Sequence, residues 1–157
     1  MKIKVLKVEP GTEPAEKLLR FVENSSWEEV REHTAAMIRE AQFEDWESMF
    51  AAVDTEADAE AGGRIVGHAS IMKTDYYPLD DIFPWISTVF VTEEYRHRGI
   101  CGQLIEAING YAKELGFRRT YIPSEFFGLY ERYGYRCVKD IVNYGGGTDH
   151  LFAKEIG

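Results

Sequence analysis

The segment 95–102, Tyr-Arg-His-Arg-Gly-Ile-Cys-Gly, carries the residue types best suited to chemistry in this sequence. It follows an apolar run at 85–91 and precedes an amphipathic run at 103–115, a pattern that indicates a strand, a tight turn and a helix. Such a turn directs several backbone N–H groups and the positive end of a helix dipole toward one point. A point of that kind binds phosphate.

Four residues of this segment support the phosphate interpretation. Gly99 and Gly102 lack a Cβ, so the backbone can approach an anion closely, and Arg96 and Arg98 add positive charge. The spacing matches neither a Walker loop nor the three-glycine turn of a dinucleotide-binding fold. Taken alone, the segment is equally consistent with a plain strand-to-helix turn that carries two solvated arginines.

A second segment, 129–135, reads Leu-Tyr-Glu-Arg-Tyr-Gly-Tyr and follows a second predicted strand. The order and spacing of the two segments, rather than the second alone, draw attention to its tyrosine at 130. The alternative is an aromatic side chain on the buried face of a short helix.

Together the two segments resemble the GNAT N-acetyltransferases. Residues 96–101 fit the family signature Arg/Gln-x-x-Gly-x-Gly/Ala except at Cys101, and 91–96 resembles its usual lead-in. Residues 129–135 are similar to the family's Phe-Tyr-x-x-x-Gly-Phe element. The strong resemblance covers 84–135, and a small cysteine at the departing position is expected to preserve the turn.

The resemblance implies acetyl-CoA as acyl donor, with its diphosphate at the turn and its pantetheine arm beside the strand 85–91. No metal is implied. The cofactor-binding residues that follow from the resemblance are Val89, Phe90, Val91, Arg96, His97, Arg98, Gly99, Ile100, Cys101, Gly102, Gln103, Ser124 and Tyr130.

The implied reaction is direct attack of an amine on the thioester. By its position in the second segment, Tyr130 is the expected general acid, and Glu125 is the leading candidate for general base. The candidates for the acceptor site are Tyr77, Asp80, Asp81 and Trp85. Each carboxylate is also consistent with a solvated surface acid, and the aromatic residues are equally consistent with core packing.

Two functions of different classes therefore remain. The first is an N-acetyltransferase that modifies a primary amine of a small molecule, a protein lysine or an N-terminus. The second is a non-catalytic acyl-CoA-binding or regulatory module with the same fold. The presence of Tyr130 favours the enzyme.

Periodicity and turn residues predict the elements around these segments. Predicted strands lie at 1–8, 47–54, 64–73, 85–91, 119–122, 136–143 and 149–155. Four helices are predicted. One begins at Thr12, and one begins at a capping box formed by Ser26 and Glu29. The third covers 103–115, after the glycine-bearing turn, and the fourth covers 126–133. With the resemblance, this order predicts an α+β (mixed α/β) GNAT-like fold. Its central sheet is mixed, mostly antiparallel, with six or seven strands, a parallel splayed central pair and about four flanking helices.

Composition limits the remaining possibilities. The 157 residues suit a single domain over 1–157, and a formal net charge of −9 disfavours a nucleic-acid surface and favours a cationic partner. No apolar run is long enough for a membrane helix, so we expect a cytoplasmic protein. The two cysteines and four histidines show no ligand spacing, so no metal site is expected. A homodimer is left open.

Overall fold

The computed structural model describes residues 1–157 and contains seven strands and three α-helices. In chain order they are β1 (Ile3–Val8), α1 (Glu13–Glu23), α2 (Glu28–Arg39), β2 (Ser48–Asp54), β3 (Arg64–Met72), β4 (Trp85–Val91), α3 (Ile100–Glu114), β5 (Arg119–Ser124), β6 (Arg136–Val142) and β7 (Thr148–Glu155). Short 3₁₀ turns lie at Ala59–Ala61, Glu93–Tyr95 and Tyr130–Tyr133.

The strands form one sheet in the order β1-β2-β3-β4-β5-β7-β6. β4 and β5 pair in parallel, with Trp85 opposite Tyr121. The helix α3 connects them and carries the chain back to the end of the sheet where β4 begins, so both strands run in the same direction. The pairs β1/β2, β5/β7 and β6/β7 are antiparallel. The predicted mixed, mostly antiparallel sheet with one central parallel pair is confirmed, at seven strands.

The fourth predicted helix is absent. Where we expected a helix over 126–133, the chain forms only the 3₁₀ turn Tyr130–Tyr133, and three α-helices remain instead of about four. Gly128 adopts a φ of 93° inside the predicted helix, and Gly134 ends the turn with a φ of 91°. These left-handed conformations interrupt a right-handed helix.

Helix ends show one correct and one wrong prediction. Thr12 caps α1, accepting a hydrogen bond at its Oγ1 from the backbone N–H of Ala15 at 3.4 Å. The capping box at Ser26 does not form, because α2 begins at Glu28 and Trp27 takes the N-cap position without a side-chain hydrogen bond.

Strand β5 also ends later than predicted. The predicted strand covers 119–122, but pairing with β7 continues through Pro123 opposite Leu151 and Ser124 opposite His150. A proline lacks only the N–H donor, so the chain can stay extended beside β7.

The chain divides into two compact units, Met1–Ser70 with Thr88–Ala107, and Ile71–Ser87 with Ile108–Gly157. The prediction of one domain over 1–157 stays a prediction. The core of the first unit includes Leu18, Val22, Met37, Phe50 and Val66, and that of the second includes Trp85, Ile108, Ile122, Leu151 and Phe152. No α-helix is both long and apolar enough to cross a bilayer.

Candidate active site

The turn between β4 and α3 lies where the sequence predicted a tight strand-to-helix connection. His97 and Gly99 adopt φ values of 64° and 80°, and the α-helical ladder begins where the N–H of Gln103 donates to Gly99 O at 3.2 Å. The amides of Ile100 and Gly102 precede that first bond and therefore have no intrahelical acceptor. The start of α3 thus offers N–H donors at the positive end of its dipole.

The two arginines of the turn have different roles. Arg96 Nε donates to Val91 O at 2.8 Å, and its guanidinium lies 5.6 Å from the centre of the Phe90 ring. This side chain is therefore anchored to the end of β4. Arg98 lies 5.5 Å from the centre of the Tyr95 ring, and both arginines are exposed.

Strand β4 is distorted at its centre. Thr88 has a φ of 51°, a conformation that is strained for a β-branched residue. Its hydroxyl is hydrogen-bonded to that of Ser70 at 2.9 Å. The distortion lies directly before Val89, the first of the three strand residues that the resemblance implied for cofactor binding.

The buried imidazole of His68 belongs to a cluster of rings with Phe21, Phe90 and Trp27. The ring centres of His68 and Phe90 are 5.6 Å apart, those of Phe21 and His68 are 6.1 Å apart, and Trp27 stacks on Phe90 at 6.0 Å. Burial lowers the pKa of His68 to about 4, and a hydrogen bond with the Thr88 backbone opposes that shift. The ring is therefore neutral at pH 7. Its Nδ1 has no hydrogen-bond partner.

Tyr130 and Tyr135 are neighbouring tyrosines with different environments. Tyr130 is buried in the 3₁₀ turn, with its ring 6.5 Å from that of Tyr135 and 6.4 Å from that of Phe152. The Tyr135 hydroxyl lies 2.7 Å from Thr120 Oγ1 and accepts from Asn109 Nδ2 at 2.9 Å. Tyr135 thus belongs to a closed, buried network, which gives it a structural role.

Two predicted acceptor residues lie in the core. Trp85 is fully buried and stacks on Tyr77 with ring centres 5.4 Å apart. The Tyr77 hydroxyl donates to Asp149 Oδ2 at 2.6 Å. Burial and this hydrogen bond raise the pKa of Tyr77 far above its ordinary value, with a smaller contribution from the charge of Glu125. Both aromatic side chains therefore pack in the core, as the alternative interpretation of these residues expected.

The acidic candidates lie at the surface. Asp80 and Asp81 are exposed in the loop before β4, and Glu125 is exposed directly after β5. Ser124 does not present a free hydroxyl, because its Oγ donates to Phe126 O at 3.1 Å and accepts from Phe126 N at 3.0 Å. A cofactor contact in which the Ser124 hydroxyl donates would have to replace its bond to Phe126 O, whereas one in which it accepts would not.

Residues 15–135 show which protein family this chain is related to. The model of the acetyltransferase (GNAT) family matches residues 15–135. The chain belongs to the GNAT acetyltransferase family. The resemblance drawn from 96–101 and 129–135 is thereby confirmed, and acetyl transfer is the chemistry that family membership supports.

Solved GNAT structures share the fold over almost the whole chain. NAA60 of Arabidopsis thaliana in complex with a bisubstrate analogue is 21% identical, with a TM-score of 0.65 over 99% of this chain and 100% of that one. An aminoglycoside 6'-N-acetyltransferase complexed with coenzyme A is 16% identical, with a TM-score of 0.71 over 98% and 97%. A GNAT acetyltransferase from Streptococcus pneumoniae is 17% identical, with a TM-score of 0.67 over 99% and 100%. Among curated proteins, no sequence match is found.

Sequence reasoning missed two features of this GNAT chain. The positive φ of Thr88 has no sequence signal, because threonine in an apolar run is typical of an ordinary strand. The burial of His68 could have been inferred from its place between apolar residues in a predicted strand, but its ring neighbours, Phe21 and Phe90, come from α1 and β4.

Proposed function

We propose that this GNAT chain is an N-acetyltransferase that uses acetyl-CoA and modifies a primary amine by direct attack. NAA60 has been crystallised with acetyl-CoA, and the aminoglycoside enzyme with coenzyme A, in the same fold. When bound, acetyl-CoA supplies an acyl thioester as the electrophile. The observation that carries the proposal is the turn before α3, with its left-handed Gly99 and the amides of Ile100 and Gly102, which precede the first intrahelical hydrogen bond.

The residues of the turn fit a diphosphate. The amides of Ile100 and Gly102 provide donors, the α3 dipole favours negative charge, and Arg96 and Arg98 provide exposed cations. A Cβ at Gly99 would meet no atom within 4 Å, so the space above the turn is open. His97, Cys101 and Gln103 complete the proposed binding segment.

The backbone of Val89, Phe90 and Val91 is proposed to bind the pantetheine arm. The strained Thr88 immediately before them supports this, because backbone strain tends to persist where function requires a fixed geometry. A backbone N–H held in that geometry can stabilise negative charge on the thioester oxygen. Ser124 is a further proposed contact.

Proton transfer is assigned to two side chains. Tyr130 is proposed to give its proton to the leaving sulfur, and Glu125 to accept a proton from the attacking amine. A base is needed because a lysine-like amine with a pKa of about 10.4 is neutral in only about 1 of 2,500 molecules at pH 7, which costs about 4.6 kcal/mol.

The acceptor is proposed to be a cationic small-molecule or peptide amine. The net charge of −9 favours a cation, and the exposed Asp80 and Asp81 are the remaining acidic candidates for contact with it. Tyr77 and Trp85 are proposed to support this region from beneath, since both are buried.

The proposal is tested by following coenzyme A release from acetyl-CoA with a panel of polyamines, aminoglycosides and peptides. Tyr130→Phe is expected to lower kcat by about 10²–10⁴-fold, because the general acid is lost, while KM for acetyl-CoA changes little. Glu125→Gln is expected to lower kcat/KM for the amine most strongly below the pKa of that amine.

Tyr135→Phe is the matched control, since it also removes one tyrosine hydroxyl from a neighbouring buried site. It is expected to keep kcat and to destabilise the chain by about 1–3 kcal/mol, because Asn109 and Thr120 lose a buried partner. Equal kcat values for wild type and Tyr130→Phe would refute the assigned proton donor. Saturable acetyl-CoA binding without coenzyme A release from any amine would instead favour the non-catalytic acyl-CoA-binding module.

A further inference from the structure

Three potential metal ligands converge on the hairpin formed by β6 and β7. One ligand atom each from Cys137, Asp140 and His150 lies within 4.8 Å of the other two. Cys137 and Asp140 are exposed and His150 is partly buried, so an ion could reach all three from solvent. None of these residues takes part in the proposed acetyl transfer.

The register of the hairpin explains why these residues meet. Asp140 lies directly opposite His150 in the antiparallel ladder. Residues three apart on a regular strand point to opposite faces, which would separate Cys137 from Asp140. The register shifts between Cys137 and Lys139, so Val138 is an extra residue that returns both side chains to one face.

The imidazole of this cluster is held in place by two neighbours. His150 Nδ1 lies 2.6 Å from Asp140 Oδ1, and the Phe127 ring packs against the imidazole with ring centres 4.1 Å apart. One ligand is therefore preorganised. Cys137 Sγ donates weakly to Lys139 O at 3.9 Å, a contact that the exposed thiol gives up when it turns toward an ion. The exposed Asp140 keeps its second carboxylate oxygen, Oδ2, for the ion while Oδ1 contacts His150.

The geometry points to a binding site for Zn²⁺, or a similar borderline divalent cation, formed by Cys137, Asp140 and His150. A thiolate, an imidazole and a carboxylate are the donors that Zn²⁺ takes, whereas Mg²⁺ and Ca²⁺ require oxygen ligands. Bonds of about 2.0–2.3 Å place ligand atoms about 3.5 Å apart around a tetrahedral zinc ion. Rotation of the two exposed side chains closes the difference from the present spacing, and water takes the fourth position.

The chemistry of binding is an exchange of a proton for the metal ion. The Cys137 thiol loses its proton to solvent as the sulfur–zinc bond forms, so binding weakens as the pH falls. No oxidant or reductant is involved. The same three side chains could instead act as a reactive thiol with an adjacent base, and the experiment below separates these two outcomes.

The test uses the reduced, chelator-treated chain, titrated with Zn²⁺ against a chromophoric chelator and with Co²⁺ by absorption spectroscopy. We expect one ion per chain and a thiolate-to-cobalt charge-transfer band. Cys137→Ser should abolish that band, and Cys137→Ser and His150→Gln should each weaken Zn²⁺ binding by about tenfold or more. Cys101→Ser and His33→Gln are the matched controls, and both should bind as the wild type does.

A second measurement follows the alkylation of Cys137 in the Cys101→Ser background, with and without Zn²⁺. Zinc should slow alkylation of Cys137 at least tenfold, because the metal occupies the sulfur. The assignment is overturned if the wild type binds no Zn²⁺ more tightly than a Kd of about 100 μM. It is equally overturned if Cys137→Ser and His150→Gln bind normally, or if Cys137 is alkylated rapidly and zinc does not protect it, which would indicate a reactive thiol.

Discussion

At the scale of single residues, His68 combines complete burial with a ring nitrogen that lacks a hydrogen-bond partner. Its neighbours Phe21 and Phe90 offer no charge to stabilise an imidazolium ion. Burial lowers its pKa to about 4 from an ordinary value of 6.5. The unfolded chain therefore takes up a proton at a pH where the folded chain does not.

This difference predicts how stability depends on pH. The stability associated with neutral His68 is complete above about pH 6.5 and is lost as the pH falls toward about 4, where the folded state also titrates. The loss amounts to about 3 kcal/mol, from about 1.4 kcal/mol per pKa unit. His68→Phe, which keeps an aromatic ring, should reduce the fall in unfolding free energy between pH 7 and pH 4.5 measured in urea.

His33→Gln is the control for that experiment, since His33 is exposed and its replacement should keep the wild-type pH dependence. An unchanged slope in His68→Phe would contradict the assignment of the buried neutral imidazole.

Single residues also show how far sequence reasoning reached. The turn glycine and Tyr130 were singled out because a fixed pattern of residue types marks them, and the structure gives Gly99 a left-handed φ that glycine adopts without strain. The sequence left open whether Trp85 and Tyr77 serve the acceptor site or the core, and it did not single out His68, because burial depends on neighbours that are distant in sequence. The Tyr77 bond to Asp149, for example, joins residues 72 positions apart.

At the scale of elements, Gly99, directly before α3, can be compared with Gly110 inside that helix. A Cβ would meet no atom within 4 Å at either Gly99 or Gly110, but only Gly99 has a left-handed φ, of 80°. Gly99→Ala should therefore destabilise the chain by about 1–2 kcal/mol through backbone strain. Gly110→Ala should stabilise it by about 0.4–1 kcal/mol, because alanine favours the helix and restricts the unfolded chain.

Thermal unfolding of both variants measures this difference, and isothermal titration with acetyl-CoA shows its consequence for the turn. Gly99→Ala is expected to weaken binding, whereas Gly110→Ala should bind as the wild type does. If Gly99→Ala were as stable as Gly110→Ala and bound acetyl-CoA normally, the conformation of the turn would not matter for the cofactor.

The bounds of helices and strands were predicted correctly where a single sequence pattern marked them. The strand 85–91 was predicted with its observed bounds, because the apolar run starts after Pro84 and ends before the polar Thr92. The start of α2 was wrong because Trp27, not Ser26, takes the N-cap position, and the 126–133 helix was wrong because Gly128 was not recognised as a break. In both cases a local propensity was overridden by the backbone path that the neighbouring residues take.

At the scale of the whole molecule, charge is the property most relevant to the proposed reaction. The chain carries 27 acidic and 18 basic residues outside its histidines, for a formal net charge of −9. Such a field attracts a cationic amine and repels anionic acetyl-CoA, which must be bound against it by local groups such as Arg96 and Arg98.

The values of kcat/KM for the two substrates should therefore depend differently on salt. For a polycationic amine, kcat/KM is expected to fall about tenfold as salt rises from about 10 mM to about 150 mM, because the Debye length shortens from about 30 Å to about 8 Å. For acetyl-CoA at a saturating amine concentration, kcat/KM should stay constant or rise, since screening removes the repulsion. A monoamine acceptor is the internal control and should show a weaker dependence than the polyamine. A polyamine kcat/KM that is independent of salt would mean that its recognition depends on contacts within the site, and the acidic composition would then say nothing about the acceptor.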